Sequence, residues 1–186
     1  MSRLRSVAVH VVLLRGINIG PRNRIAMPAL REALEEAGFE DVRTYVQSGN
    51  VVLESSAKSD EVQRKVERLI EKEFGLEIAV VVRTKAQLAA VVKKNPLRKV
   101  AKNPKTYQVT FLSKKLPAKA VQELEDAAAE DEQFIVAGRE VYAWHPDGAA
   151  RSKLWAKLGG KGLGVTATSR NWTTVEALLE LAGGRP

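Results

Sequence analysis

The sequence predicts an α+β chain made of two halves, each running strand, helix, strand, strand, helix, strand. Three observations carry this. An almost unbroken apolar run at 7–14 reads as a strand near the middle of a sheet. Stretches with apolar residues at i, i+3 and i+4 alternate with short β-branched runs in the order stated. The same order then repeats after a polar, proline-containing connection at 95–105.

The first strand, 7–14, leads into a loop over 15–26 that Gly16, Gly20 and Pro21 interrupt. A helix over 27–37 follows. Its Leu30, Ala33, Leu34 and Ala37 share a face, Pro28 suits its first turn, and Gly38 ends it. Strands at 42–47 and 51–54 flank Ser48-Gly49-Asn50, whose glycine and asparagine tolerate left-handed backbone, so the two strands form a hairpin. Ser59 is placed to cap a helix over 59–74, with Asp60 and Glu61 in its first turn and an apolar stripe of Val62, Val66, Leu69 and Ile70. Gly75 closes that helix, and a strand at 77–83 completes the half. This βαββαβ order is the ferredoxin-like pattern.

Thr84 is placed to cap a linking helix to 94, which Asn95-Pro96 stops. The second half reads strand 106–112, helix 117–131, strands 133–137 and 140–144 about Gly138-Arg139, helix 151–158, a glycine-rich loop at 159–164, strand 165–168 and helix 173–181. The domain reading is a first half with its linking helix at 1–94, a linker at 95–105 and a second half at 106–186. The alternative is one larger mixed sheet with helices on one side.

With 186 residues, 45% of them apolar, the chain can bury a sizeable core. It has no cysteine, which excludes disulfides, thiolate metal sites and cysteine nucleophiles, and suits the cytoplasm. The start has two arginines and a short apolar run but no small-residue cleavage site, and no run approaches the ~18 apolar residues of a membrane span. A soluble, cytoplasmic protein is expected. The only histidines are His10 and His145, and no acidic triplet has ligand spacing, so no metal and no cofactor are expected.

The net charge of +8 is uneven: 14 basic and 12 acidic residues at 1–92, 16 and 10 at 93–186. Nine basic residues and no acidic one lie at 93–119, and six acidic residues and no basic one at 120–132. The basic stretch suits a polyanion such as a nucleic-acid backbone, or neutralises the acidic stretch internally.

Four stretches have the residue types for binding. Arg15, Gly16, Asn18 and Gly20 combine glycine backbone, which lets a ligand approach N–H groups, with a bidentate guanidinium and an amide. Gln47, Ser48 and Asn50 bring three hydrogen-bonding side chains to a hairpin tip. Whether that tip lies beside the first strand's exit or at the far end depends on strand lengths. Ser152 and Lys153, after Arg151, open a helix where an anion can sit. In Ser169-Arg170-Asn171-Trp172, Asn171 is placed to cap the last helix, Arg170 to hold an anion, and Trp172 to line a pocket or anchor the helix. Gly159-Gly160-Lys161-Gly162 lacks the hydroxyl of a phosphate loop and reads as a helix end. His10 reads as a sheet residue, and nothing in the pattern supports a Ser-His-acid site. Strands one and three of the first half carry no aromatic residue, which argues against base stacking of the RRM type.

Leu14-Arg15-Gly16-Ile17-Asn18-Ile19-Gly20, Tyr45-Val46-Gln47-Ser48-Gly49-Asn50-Val51-Val52, Arg151-Ser152-Lys153-Leu154 and Thr168-Ser169-Arg170-Asn171-Trp172 together resemble the marks of a bacterial family, domain of unknown function 1697. The resemblance covers about 7–182 and extends to Gly49, Asn95 and Pro96. Ser169 departs from it, where members often have alanine. It implies a pair of ferredoxin-like halves and no established activity.

The expectation is therefore a protein that binds an anionic ligand in a cleft between the halves. A nucleotide, a phosphorylated metabolite or a nucleic-acid backbone would meet Arg15, Asn18, Asn50, Lys153 and Arg170. The alternatives are an enzyme acting on a phosphorylated or carboxylated small molecule, with its arginines as clamps, and a protein-interaction module.

Overall fold

The computed structural model describes residues 6–160 and 162–183. Its elements are β1 (Ala8–Leu14), α1 (Met27–Glu36), β2 (Glu40–Tyr45), β3 (Asn50–Ser55), α2 (Ser59–Phe74), β4 (Val80–Thr84), α3 (Lys85–Lys94), β5 (Tyr107–Leu112), α4 (Ala118–Ala127), β6 (Gln133–Ala137), β7 (Glu140–Trp144), α5 (Lys153–Gly159), β8 (Ala167–Asn171) and α6 (Trp172–Ala182). The chain forms two compact units. The first holds the described residues up to Ala89 and again from Leu178; the second is Ala90–Ala177. The division falls inside α3 and inside α6.

Each unit has its own four-stranded antiparallel sheet, ordered β2-β3-β1-β4 in the first and β6-β7-β5-β8 in the second. This is the βαββαβ, ferredoxin-like architecture twice over, and the single larger mixed sheet does not form. Among the described residues, no helix is long and apolar enough to cross a membrane.

In the first unit, β1 pairs with β3 along one edge and β4 along the other. Val12 and Leu14 join Leu30, Leu34, Val62, Val66 and Ile70 of α1 and α2 in one core. Val11 and Leu13, on the other face, are also fully buried, which is why the run shows no polar alternation. The antiparallel pairing of Leu13 with Asn50 brings the exit of β1 beside the β2–β3 hairpin tip. Gly49, with φ 81°, leaves only enough room for hydrogen there: a Cβ would lie 2.8 Å from Leu14 Cβ and 2.9 Å from Ile17 Cδ1.

In the second unit, every residue of β5 is buried. Leu112, Val141, Ala143 and Ala167 pack on Leu124, Leu154 and Leu158 of α4 and α5. Across β5, Tyr107 stacks on Trp172 with ring centroids 4.8 Å apart, and the Tyr142 hydroxyl donates to the Val91 carbonyl at 3.0 Å. Strands one and three of this half do carry aromatics: Tyr107, Phe111 and Tyr142 are each 1% exposed, and Trp144 at the end of β7 is half-buried. The first three are core residues and offer no face to a base.

Thr84 caps α3 as expected, its Oγ1 accepting from Gln87 N while Gln87 Oε1 accepts from Thr84 N. Gly75 ends α2 with φ 66°. Several boundaries differ from the sequence reading, β2 (Glu40–Tyr45 against 42–47) and β4 (Val80–Thr84 against 77–83) among them. Lys58, not Ser59, is the N-cap of α2, with its N–H held by the Glu61 carboxylate. Helix α4 ends at Ala127 rather than 131, because Ala128 turns extended to lead into β6. Ser152 caps α5 from outside, so that helix begins at Lys153. The last strand lies at Ala167–Asn171 rather than 165–168, since Gln108–Leu112 pair with those five residues. Arg3, Arg5 and Lys161, which entered the sequence reading, lie outside the described residues.

Gly49→Ala is expected to cost about 2–4 kcal/mol, from left-handed strain plus overpacking. Gly16→Ala, where φ is 66° but the space is open, should cost about 1 kcal/mol from strain alone. Urea unfolding of the two variants checks the difference.

Candidate functional site

The loop leaving β1 is drawn into a ring by one side chain. Asn18, with φ 55°, accepts from Ile25 N through Oδ1 at 2.9 Å. Its Nδ2 donates to Ile25 O at 2.8 Å and to Gln47 O at 2.8 Å. The ring is closed further by Asn18 N to Asn23 O at 3.0 Å and Asn23 Nδ2 to Gly16 O at 3.4 Å. Ile17 and Ile25 turn inward and are buried, anchoring the loop to the core of the first unit. Asn18 thus ties the glycine loop to the hairpin tip.

The tip has its own brace. Asn50, fully buried, donates to Tyr45 O at 3.1 Å and to Ser48 Oγ at 2.9 Å. Val46 sits at φ 49°, a strained conformation for a β-branched residue, and is 52% exposed. Ile19 on the adjoining loop is 74% exposed. Arg22 and Arg24 are also exposed, and among the described residues neither enters an ion pair. No acidic residue occurs at 15–31 or at 42–53.

The structure therefore gathers Arg15, Gly16, Asn18, Gly20, Gln47, Ser48 and Asn50 at one end of the first unit's sheet. They divide by task. Asn18 and Asn50 are buttresses whose amides hold backbone. Gly16, Gly20, Gln47 and Ser48 are exposed, and Arg15 is half-buried. Sequence reasoning missed Arg22 and Arg24, because the motif was read as ending at Gly20; the signal was the acid-free arginine run that continues past it.

The five predicted residues of the second unit serve its interior more than its surface. Arg170 is 7% exposed. Its Nη1 donates at 2.8 Å to Thr168 Oγ1 and to Ser169 O, and burial lowers its pKa from 12.5 to about 10. Asn171 caps α6 by accepting from Thr174 N at 2.9 Å. Trp172, 6% exposed, anchors that helix on Tyr107. Ser152 caps α5 by accepting from Trp155 N at 2.9 Å. Only Lys153 is exposed.

A second feature was legible in the sequence only through Arg151, Ser152 and Lys153. A pocket of about 650 Å³ in the second unit is lined by Glu132, His145, Asp147, Arg151, Ser152 and Lys153, among others. At its wall, His145 Nδ1 lies 2.7 Å from Glu132 Oε1, with side chains 0% and 6% exposed. Glu132 Oε2 accepts from Ala129 N at 3.0 Å, and the carboxylate also takes the Ser152 hydroxyl. Burial raises the Glu132 pKa, but the bonds from Ala129, His145 and Ser152 outweigh it and leave the carboxyl below its usual range. Ser152 faces the carboxylate, not the imidazole, and His145 Nε2 is buried without a partner. The three residues therefore lack the nucleophile-to-base contact of a Ser-His-acid site; they pin the start of α5 to β6 and β7. His10, in the first unit, is 2% exposed, with Nδ1 3.4 Å from Ser59 Oγ, and burial lowers its pKa. Among the described residues, no group of three or more His, Asp or Glu is placed to hold a metal ion.

Residues 7–142 match the family described as protein of unknown function, DUF1697, and the chain belongs to that family. Among solved structures, the chain is similar to the conserved bacterial protein SP0830 from Streptococcus pneumoniae. The TM-score is 0.79 at 18% identity, over 95% of this chain and 99% of that one. At that identity the likeness bears on the fold alone. No curated protein matches the chain.

Glu132→Gln is expected to cost about 1–3 kcal/mol near neutral pH, because His145 then faces a neutral amide. The folded carboxyl titrates below its unfolded value of 4.5, so its contribution is complete above that pH and is lost as pH falls through the folded value. Thermal unfolding between about pH 3 and pH 7 should show the acid-side decline of the parent protein flattened in the variant.

Proposed function

We propose that this member of the DUF1697 family binds an anionic ligand at the end of the first unit's sheet, where the glycine loop meets the hairpin tip. The observation that carries the reading is the Asn18 bridge, which holds 16–25 and Gln47 together. It supports a preorganised rim, its own segments 15–31 and 42–53 without an acidic residue, in which Arg22 and Arg24, flanked by Arg15, supply guanidinium donors and the exposed Gly16 and Gly20 backbone lets an oxyanion approach. Asn18, Asn50 and Arg170 drop out as ligand donors, since each is engaged with the protein's own backbone or hydroxyls.

A nucleotide suits this rim better than a bare phosphate. The exposed side chains of Ile19 and Val46 give an apolar surface for a base or sugar beside the arginines. The absence of cysteine supports a reducing compartment, and we place the protein in the cytoplasm.

The test is a thermal-shift and calorimetric comparison of AMP, ATP and inorganic phosphate on the parent protein and on Arg22→Ala/Arg24→Ala. Both arginines are exposed, so the ligand-free unfolding free energy should stay within about 0.5 kcal/mol. Nucleotide affinity should fall about tenfold or more in the double variant. Equal affinity in the two proteins, or no shift of the parent protein by any nucleotide, would overturn the reading.

A further inference from the structure

The nine basic residues of 93–119 were read from the sequence as one stretch, and the structure divides them. Strand β5 separates Lys105 from Lys114, and a strand of that length spans about 20 Å. Lys93, Lys94, Arg98, Lys99, Lys102 and Lys105 lie before β5, while Lys114, Lys115 and Lys119 follow it at the other end of the sheet. All nine are exposed. No contact ion pair ties these cations to the acidic stretch: among the described residues none of the nine enters an ion pair, and Glu123 of α4 pairs with Lys157 at 3.0 Å.

The six-cation segment is not a slack loop. Leu97 is 5% exposed and anchors it. Its backbone turns are closed by Arg98 N to Asn95 O, Val100 N to Leu97 O, Ala101 N to Leu97 O and Thr106 N to Asn103 O, all between 2.9 and 3.3 Å. Asn103 Oδ1 accepts from Lys105 N at 3.0 Å, and Pro104 O accepts from Trp172 N at 3.2 Å. The cations are therefore carried on a backbone ordered before any ligand arrives, which lowers the entropy cost of binding.

We infer that the segment 93–105 is a docking surface for the phosphate backbone of double-stranded nucleic acid, read without sequence preference. The features of the segment choose among polyanions. A membrane-surface site pairs its lysines with exposed large apolar side chains that insert, and Val7, Ile19, Val46 and Ile135, the large apolar residues that are exposed among those described, all lie elsewhere in the chain. A single-strand site stacks bases on several aromatic rings; of the aromatics next to this segment, Tyr107 and Trp172 are buried against each other, and Trp144, opposite Tyr107 in β7, is only partly exposed. Six exposed cations against one partly exposed ring make charge the dominant feature of the segment, which favours the duplex with its charge every ~1.7 Å of axis.

The experiment is fluorescence anisotropy with a 20-base-pair duplex of mixed sequence, the matching single strand, and vesicles containing phosphatidylserine, over a salt series. Lys99→Glu/Lys105→Glu is compared with Lys114→Glu/Lys115→Glu, which changes the net charge equally at the other end of β5. Engaging about four to six phosphates gives a slope of log K against log salt of about −4 to −5, so affinity should fall roughly 10²- to 10³-fold between 50 and 200 mM salt. The first variant should lose at least tenfold and flatten the slope by about two, and the second should stay within about twofold. Lys99→Gln/Lys105→Gln should show an intermediate loss, which separates lost contacts from added repulsion. Equal weakening by the two Glu variants would mean attraction by net charge only and would overturn the inference. So would tighter binding to the single strand or to vesicles than to the duplex. The variants differ from those that test the nucleotide rim, so either reading can fail without the other.

Discussion

Strand β1 is paired along both edges and buried on both faces, and the first unit is arranged by that constraint. A strand so placed has one way out at its C-terminal end. The loop that follows has to leave past the β2–β3 hairpin, which antiparallel pairing puts beside it. Gly49 makes the passage possible, because Leu14 and Ile17 occupy the space where a side chain would stand. Asn18 then uses both ends of its amide to close the loop and tie it to Gln47. The rim of exposed arginines and glycines follows from this packing; it is what the ring presents outward once Ile17 and Ile25 are turned in.

The same side-chain chemistry that binds ligands also satisfies backbone. Asn18, Asn50, Ser152 and Asn171 were candidates because short amides and hydroxyls recognise anions. Those groups are also the ones that cap helices and brace turns, and here they do. Arg170 shows the case for a charge. A guanidinium brought inside has to find acceptors, and Thr168 Oγ1 and Ser169 O supply them. The neighbouring Tyr107–Trp172 stack buries the aromatic surface that an exposed sheet would have offered to bases.

Charge follows a different logic from these polar groups. The acid-free stretches at 15–31 and 93–119 were legible as composition, but composition does not say which cations face water. Exposure of Arg22, Arg24 and all nine residues of the second stretch is a tertiary fact. So is the split of that stretch by β5. The Glu132–His145 pair is the converse case. Its two members lie in different strands' flanks, 13 positions apart, and nothing in their local sequence marks them as partners.

Periodicity and turn chemistry by themselves determined the element order, because burial on a helix or strand repeats every few residues and writes itself into the chain locally. The run at 7–14, the stripe Val62, Val66 and Ile70, and the Thr84 cap all have this character. Boundaries slipped where pairing overrode propensity, as at Ala128 and at Ala167–Asn171, since a strand ends where its partner ends. Only the tertiary structure decided that the glycine loop and the hairpin tip meet, that Asn18 and Asn50 are braces while Arg22 and Arg24 are free to face solvent, and that Arg170 and Trp172 are interior. These are contacts between residues distant in sequence. They are set by which surfaces the sheet brings together, and no local pattern encodes that.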